Sequence, residues 1–200
     1  MAGDLTNVGI LWALLSLVAA VLCCSGFYIP FWVQGRLDRY PAYFSSFRRC
    51  GFLKYDARRK LLLMDHGCGR YENFKDIPSG WWQLTTIFVG FGGTVAMIIA
   101  ITAMSACCIS YVVQKSTAKV AGGVQLFAAL MISIGVAVYP LGWDNPEMKE
   151  ACGGLSSPYK LGSCDLSWSI WLLVAAILVL ITCTFLSIFA AKVSPDQISY

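Results

Sequence analysis

The chain has 200 residues, of which 58% are hydrophobic and 13% are charged, and its formal net charge at pH 7 is +4. Its mean hydropathy of +0.65 lies well outside the usual range of water-soluble proteins. This composition excludes an ordinary soluble globular fold and indicates an integral membrane protein, with the lipid bilayer as its surroundings.

Four windows without a charged residue follow one another along the chain, at 5–35, 77–114, 120–143 and 166–191. Because about 20 apolar residues in a helix cross the hydrocarbon layer of a bilayer, each window is long enough to span it. We predict one tetraspan domain over 1–200, with helices at about 6–30, 81–113, 119–139 and 166–191. The first helix lacks the basic segment that precedes a cleaved signal peptide, so we expect it to remain as an anchor.

Two larger loops, at about 31–80 and 140–165, connect these helices on one side of the membrane. The first loop holds ten lysines and arginines, which by charge alone would place it in the cytoplasm. The loop cysteines argue the reverse, because disulfides form in oxidising compartments and a large structured loop translocates largely regardless of its charge. We therefore expect a plasma-membrane protein with both termini in the cytoplasm and both loops outside.

Each of these loops contains an even number of cysteines. Pairing within each loop joins Cys50 to Cys68 and Cys152 to Cys164, and each closure stabilises by about 3 kcal/mol in the chain-entropy model. Pairing between the loops remains open. Among the other cysteines, Cys107 and Cys108 fall near the cytoplasmic end of the second helix, a position compatible with palmitoylation.

The four windows contain small residues at packing spacings and no charged side chain. Small residues let helix backbones approach closely, either within one bundle or against a partner's helix. Ion and substrate pathways in membranes usually carry buried ionisable residues, so the uncharged windows argue against a transporter. The candidate packing residues are Gly90, Gly92 and Gly93 in the second helix and Gly122, Gly123 and Gly135 in the third.

The sequence lacks the usual constellations of catalysis. His66 is the only histidine, and the loop carboxylates alternate with lysines and arginines in a pattern typical of a solvated surface. No phosphate-binding loop, nucleophile elbow or zinc-protease motif occurs. We therefore expect no catalytic residue, metal site or cofactor, and no nucleic acid or small-molecule substrate.

The first loop has the composition of a small folded module, with nine aromatic residues among the charges from Trp32 to Phe74. The β-favouring residues at 43–50 and 61–64 predict short antiparallel strands lying over the helices. The formal charge of this loop is +5, against −2 for residues 141–165. The two loops are therefore expected to attract each other.

Several short motifs resemble one known family over nearly the whole chain. Trp32 and the aromatic-x-x-Cys motif at 47–50 are similar to the loop signature of the claudin superfamily, which has Trp-x-x-Cys at that place. More specific are FRRC at 47–50, CGRY at 68–71, IPS at 77–79, VAGGVQ at 120–125, YPLGW at 139–143, CG at 152–153, LGSC at 161–164 and Trp168. Together they resemble the lipoma HMGIC fusion partner-like family, a tetraspan branch of the claudin superfamily.

The resemblance implies a claudin-like tetraspan fold, an all-α membrane four-helix bundle with a small extracellular β-sheet. It also implies a non-enzymatic auxiliary or scaffolding subunit that binds, stabilises or traffics a channel, receptor or adhesion protein complex through its outer loops and helices. A claudin-like cell-contact or paracellular barrier protein is the alternative. The outer-loop residues expected to build or present the interaction surface are Trp32, Phe47, Arg48, Arg49, Arg70, Tyr71, Trp143 and Trp168.

Overall fold

A computed structural model describes residues 7–37, 40–56, 61–108 and 115–190 of the chain, without the side chains of residues 53–56, 61–66, 106–108 and 115. The helices are α1 (Asn7–Tyr28), α2 (Gly80–Cys108), α3 (Lys115–Val138), the short α4 (Pro146–Ala151) and α5 (Trp168–Ser187). The strands are β1 (Val33–Leu37), β2 (Tyr40–Phe44), β3 (Arg48–Asp56), β4 (Leu61–Arg70) and β5 (Asp165–Leu166). Two 3-10 turns lie at Phe74–Asp76 and Tyr139–Trp143.

Four helical segments are long and apolar enough to cross a membrane: Asn7–Tyr28, Gly80–Ser105, Ser116–Trp143 and Trp168–Ser187. They confirm the four predicted helices, and with the small antiparallel sheet they confirm the claudin-like tetraspan fold of a multi-pass membrane protein. Helices suit this setting because each satisfies its own backbone hydrogen bonds where lipid offers no water. The third helix begins before its uncharged window, so Lys115 and Lys119 lie in its first turns.

The described residues form two compact units. The helical unit comprises the described parts of Met1–Cys24, Gly90–Ser133 and Leu173–Tyr200. The sheet unit comprises the described parts of Ser25–Val89 and Ile134–Leu172. Each of the four long helices contributes one segment to each unit.

In the helical unit, glycines allow close approach of the helix backbones. A methyl group added at Gly92 of α2 would lie 3.0 Å from the carbonyl oxygen of Ala128 in α3. One added at Gly122 of α3 would lie 2.7 Å from Cβ of Ser187 in α5. These two glycines therefore lie where α2 meets α3 and where α3 meets α5. The buried hydrophobic cluster of this unit contains Trp12, Ala13, Ala103, Ala118, Ala121, Cys183 and Ala190.

The other predicted packing glycines of the helical unit differ in their surroundings. Gly93 is buried, and a methyl group there would make an ordinary contact of 3.7 Å with Cβ of Cys23. Gly90 is half-buried, and its carbonyl oxygen accepts a hydrogen bond from the hydroxyl of Thr94. Gly123 is exposed, and no described atom lies within 4 Å of the position that a Cβ would take. Gly123 therefore has room for a side chain.

A buried polar network lies among α1, α3 and α5 in the helical unit. The amide of Gln125, 1% exposed, donates to the Ser16 hydroxyl at 2.7 Å and accepts from the Trp12 indole at 3.0 Å. The Ser16 hydroxyl donates to the backbone carbonyl of Trp12 at 2.7 Å and lies 3.8 Å from the sulfur of Cys183. A buried amide is costly unless its polar atoms are paired, and here both ends of the Gln125 amide have partners. Because its polar atoms must stay paired, such a network allows fewer arrangements of α1 against α3 than apolar contacts do.

The sheet unit is built on five antiparallel strands in the order β4-β3-β2-β1-β5. The first loop supplies four strands, and the second supplies β5, where Leu166 pairs with Val33 of β1. The strand expected over 43–50 is interrupted by a turn between β2 and β3. In this turn the Ser45 amide donates to the Arg48 carbonyl at 2.9 Å, and the Arg48 amide donates to the Ser45 hydroxyl at 3.2 Å. Serine favours such a turn because its hydroxyl competes with strand partners for backbone groups.

An aromatic core packs between the helix ends and the strands of the sheet unit. Trp32, Trp82 and Tyr139 are fully buried. The Tyr139 ring stacks on Trp82 at 5.3 Å between ring centres and meets Trp32 edge-on at 4.9 Å. The Trp32 indole donates to the carbonyl of Gly26 in α1 at 2.7 Å. Because large aromatic side chains dominate the energetics of a core, this cluster is a main stabilising element of the unit.

We predict that Gly122→Ala lowers the stability of the helical unit, because the added methyl group would overlap Ser187. Overpacking of this kind costs about 1–3 kcal/mol. The matched control is Gly123→Ala, which we expect to leave stability unchanged or to raise it by up to about 1 kcal/mol, since alanine favours helix over glycine. Thermal unfolding of the purified proteins in detergent compares the two variants, and equal midpoints would contradict the assigned helix contact.

Candidate interaction site

Two disulfides form the framework of the sheet unit. Cys50 of β3 and Cys68 of β4 are directly paired across the sheet, and their disulfide joins Cα atoms that lie 4.1 Å apart. Cys152 follows α4 and Cys164 precedes β5, and their disulfide joins Cα atoms 5.1 Å apart. Each disulfide lies within one loop, so other contacts must connect the two loops.

One such contact lies at Gly35 of β1, where the second disulfide packs against the sheet. A methyl group added at Gly35 would lie 2.6 Å from the sulfur of Cys164 and 3.2 Å from Cβ of Ala151 in α4. Only a residue without a side chain leaves room for both neighbours. Together with the pairing of β1 and β5, this contact positions the second loop on the sheet.

A charged cluster provides the other connection between the loops. The Arg49 guanidinium in β3 forms an ion pair with Glu147 in α4, and the Tyr71 hydroxyl donates to the other carboxylate oxygen of Glu147 at 2.7 Å. The guanidinium carbon lies 4.2 Å from the ring centre of Phe52 and 4.7 Å from that of Tyr71, within the range of cation–π attraction. We call Arg49, Tyr71 and Glu147 the clasp. The expected attraction between the loops thus takes the form of a specific contact.

Within the clasp, Tyr71 keeps its hydroxyl proton over the physiological pH range. Burial raises the pKa of the Tyr71 hydroxyl well above its usual value, and the neighbouring Glu147 carboxylate raises it further, while Arg49 opposes the change. Tyr71 therefore remains a hydrogen-bond donor to Glu147. The Arg49 and Glu147 side chains are 24% and 26% exposed, so water screens this ion pair less than it screens an ordinary surface pair.

The short helix α4 positions Glu147 for the clasp. The buried side chain of Asn145 caps the helix, because it accepts from the Met148 amide at 2.9 Å and donates to the Gly142 carbonyl at 2.7 Å. Pro146 occupies the first helical position, where its missing N–H costs nothing. The next residue is Glu147, and the first turn of a helix favours a negative charge.

The exposed surface beside the clasp combines an arginine with an aromatic ring. Arg70 ends β4, the exposed Glu72 lies two residues later, and Phe74, which is 47% exposed, lies in the first 3-10 turn. We call these three residues the rim. They border a cavity of about 240 Å³, and the turn beneath is fixed by Asp76, which accepts two hydrogen bonds of 2.9 Å from Asn73. Arginine and aromatic residues are enriched at protein–protein interfaces, so the rim suits recognition of another protein.

The predicted tryptophans of the loops divide between the core and the surface. Trp32 and Trp143 are buried, at 0% and 5% exposure, so they support the sheet unit from within. Trp168 is 53% exposed at the start of α5, and its ring centre lies 5.9 Å from that of Phe31. Of the three, only Trp168 is available to a partner in this structure.

Two further predicted loop residues connect the β2–β3 turn to the end of α1. The Arg48 guanidinium lies 4.2 Å from the ring centre of Tyr28 and donates to the Tyr28 carbonyl at 3.1 Å. The Phe47 ring lies 4.6 Å from that of Phe27. These contacts are internal to the sheet unit, so Phe47 and Arg48 act first as packing residues.

Cys107 and Cys108 are the last residues of α2, and their side chains lie outside the described part of the chain. Palmitoylation at these positions therefore stays a prediction. Among the described residues, no group of three or more histidine, cysteine, aspartate or glutamate side chains comes together as a metal ion would require.

Two structurally important side chains were not predicted from the sequence. Glu147 lies 98 residues from Arg49, and Gln125 lies 109 residues from Ser16, so neither pairing leaves a local pattern. Weak signals existed in both cases. Gln125 is an isolated amide in an apolar window, and Glu147 follows an Asn-Pro helix start in a loop whose charge is opposite to that of the first loop.

We predict that Glu147→Gln lowers the free energy of unfolding by about 1–2 kcal/mol. This value lies between the cost of breaking an exposed ion pair and that of breaking a buried one. The substitution keeps the shape of the side chain but removes the charge that faces Arg49. Lys149→Gln is the matched control, because it removes a pair with Asp144 whose side chains are about half exposed, and we expect a change below about 0.5 kcal/mol. Unfolding midpoints of the purified proteins in detergent measure both effects.

A double-mutant cycle with Arg49→Gln and Glu147→Gln then isolates the interaction between the two residues. The clasp requires that the double variant lose less stability than the sum of the two single losses. Strictly additive losses would show that the two side chains do not stabilise each other.

Comparison with known proteins identifies the family of this chain. A family model described as "Lipoma HMGIC fusion partner-like protein" matches residues 8–192. The LHFPL tetraspan subfamily member 2a protein of Danio rerio is 30% identical over 199 residues, covering 91% of this chain and 84% of the relative. The member 2 protein of Homo sapiens is 32% identical over 121 residues, covering 60% and 53%, and the member 3 protein of Danio rerio is 27% identical over 182 residues, covering 90% and 80%. The chain therefore belongs to the lipoma HMGIC fusion partner-like family of LHFPL tetraspan membrane proteins.

Proposed function

We propose that this protein is a non-enzymatic auxiliary or scaffolding subunit that binds, stabilises or traffics a channel, receptor or adhesion protein complex in the plasma membrane. The observation that carries the proposal is the exposed rim of Arg70, Glu72 and Phe74 beside the cross-linked framework of the sheet unit. Membership of a tetraspan membrane family supports membrane proteins as its partners.

The framework around the rim supports a role in recognition. The Cys50–Cys68 disulfide ends in β4 two residues before Arg70, and Tyr71 of the clasp immediately follows Arg70. Arg70 of the rim therefore lies between two residues whose positions are fixed, and the hydrogen bonds between Asn73 and Asp76 fix the turn that holds Phe74. A preorganised surface loses little conformational entropy when it binds, so more of its contact energy contributes to affinity.

The membrane helices support partner binding rather than transport. Ionisable residues are the usual sign of an ion or substrate pathway in a membrane. Among the described residues of the four long helices, charged side chains occur only in the first turns of α3. Gly123 of α3 is exposed, and a small exposed residue allows the backbone of a partner's helix to approach closely.

We infer that the loops lie outside the cell and that both termini lie in the cytoplasm. The two disulfides of the sheet unit support this orientation, because they need an oxidising compartment to form and persist. The basic charge of the first loop does not oppose it strongly, since large folded loops cross the membrane largely regardless of charge.

We predict that the tagged protein, purified from native membranes, recovers a channel, receptor or adhesion protein in fixed ratio. The double variant Arg70→Glu with Phe74→Ala should reduce this recovery about tenfold or more, since losing one hot-spot contact exceeds 1.4 kcal/mol. The matched control is Arg36→Glu with Tyr40→Ala, which changes an exposed arginine and an exposed tyrosine of β1 and β2 and should keep the partner.

Three outcomes would contradict this proposal. Equal recovery with the rim variant and the control would exclude the rim as the contact surface. Enrichment at contacts between otherwise non-adherent cells would favour the claudin-like barrier, and so would a changed transepithelial resistance in an epithelial layer that expresses the protein. A clear flux of ions or solute through liposomes that contain only this protein would favour a pore.

A further inference from the structure

Tyr159 adopts a backbone conformation that side chains rarely take. Its φ is +60°, the only positive φ of a non-glycine residue in the described part of the chain. Tyr159 follows Pro158 in a turn that is closed by mutual hydrogen bonds between Ser157 and Lys160, of 3.0 and 2.8 Å. Glycine is the usual residue at this position of such a turn. Strain of this kind persists only where surrounding contacts impose it, and it often marks a functional residue.

The contacts that impose this conformation come from the end of α3 and from the 3-10 turn that follows it. The Tyr159 amide donates to the Pro140 carbonyl at 3.2 Å, and the Tyr159 hydroxyl donates to the Ala137 carbonyl at 2.7 Å. Proline has no N–H, so Pro140 cannot donate to the carbonyl groups of the preceding helical turn. Tyr159 supplies a donor there, and such carbonyls need one wherever water is scarce.

The position of Ala137 gives the depth of the Tyr159 side chain. Ala137 lies six residues inside the end of the membrane-spanning segment Ser116–Trp143. Ala137 is exposed, and so is Ile134, one turn earlier, at 41%. The face of α3 that Tyr159 reaches is therefore a face that an apolar span presents to lipid. Tyr159 itself is 61% exposed, and its hydroxyl points to a helix carbonyl rather than to bulk water.

We propose that the disulfide-closed loop between Cys152 and Cys164 is a membrane-interface anchor, in which Tyr159 lies in the headgroup region against α3. An aromatic ring with one polar end suits this region, where tyrosine and tryptophan are enriched in membrane proteins. Lys160 follows Tyr159 and is exposed, and a lysine at this depth extends its ammonium group to lipid phosphates. The bilayer thus holds the second loop at a fixed height, beside the strand β5 that this loop adds to the sheet.

Spin-label accessibility in phosphatidylcholine vesicles tests the anchor on the full chain. A nitroxide on Lys160→Cys reports the depth of the turn while Tyr159 is unchanged, and a nitroxide on Glu150→Cys of α4 serves as the exposed reference. The unsubstituted chain, treated with the same label, gives the background from its own thiols. Oxygen concentrates in the bilayer and a nickel chelate stays in water, so the ratio of the two collision rates measures depth.

The anchor requires a severalfold higher oxygen-to-nickel ratio at position 160 than at position 150. Adding Tyr159→Ala should lower the ratio at 160 towards that at 150, with the Cys152–Cys164 disulfide still formed on a non-reducing gel. Equal ratios at the two positions in the chain with Tyr159 present would overturn the proposal, and this comparison does not depend on folding of the alanine variant. An unchanged ratio at 160 after Tyr159→Ala would likewise exclude Tyr159 as the anchoring residue.

Discussion

The sheet unit depends on the joining of two loops that lie far apart in the chain. Arg49 and Glu147 are 98 residues apart in sequence, and their ion pair is reinforced by the Tyr71 hydroxyl and by two aromatic rings beside the guanidinium. The pairing of β5 with β1 and the space left by Gly35 make the same connection through the backbone. Without these contacts each disulfide would stabilise one loop, and the five-stranded sheet would lose its last strand.

The helical unit follows a different rule, because lipid removes the hydrophobic driving force between helices. Close backbone approach at Gly92 and Gly122 supplies dispersion contacts. The buried hydrogen bonds of Gln125 determine how α1 packs against α3. The distinction matters for function. A helix face that is occupied internally, such as the one at Gly122, is unavailable to a partner, whereas the face at Gly123 is open within the described structure.

The packing of the sheet unit fixes the positions of its surface residues. The aromatic core of Trp32, Trp82 and Tyr139 and the disulfides hold the sheet unit in one conformation. Binding to surface residues such as Arg70 and Phe74 would then cost this protein little conformational entropy. The fixed surface of the sheet unit therefore supports the proposal that this protein binds other membrane proteins.

The sequence by itself determined the membrane class, the four spans, the family resemblance and the cysteines available for pairing in each loop. Each of these depends on composition or on short motifs, and apolar runs of this length have few alternatives in a membrane protein. The sequence also indicated strands in the first loop, although Ser45 shows that β-favouring residues over 43–50 do not exclude a turn.

Only the tertiary structure decided which glycines pack, which tryptophans are buried and which carboxylate meets Arg49. Gly122 and Gly123 are neighbours of the same type, and they differ only because one faces Ser187 and the other faces away from described atoms. Likewise, no local pattern pairs Glu147 with a residue 98 positions away. Such choices depend on the three-dimensional arrangement of whole helices and strands, so they cannot be read from neighbouring residues along the chain.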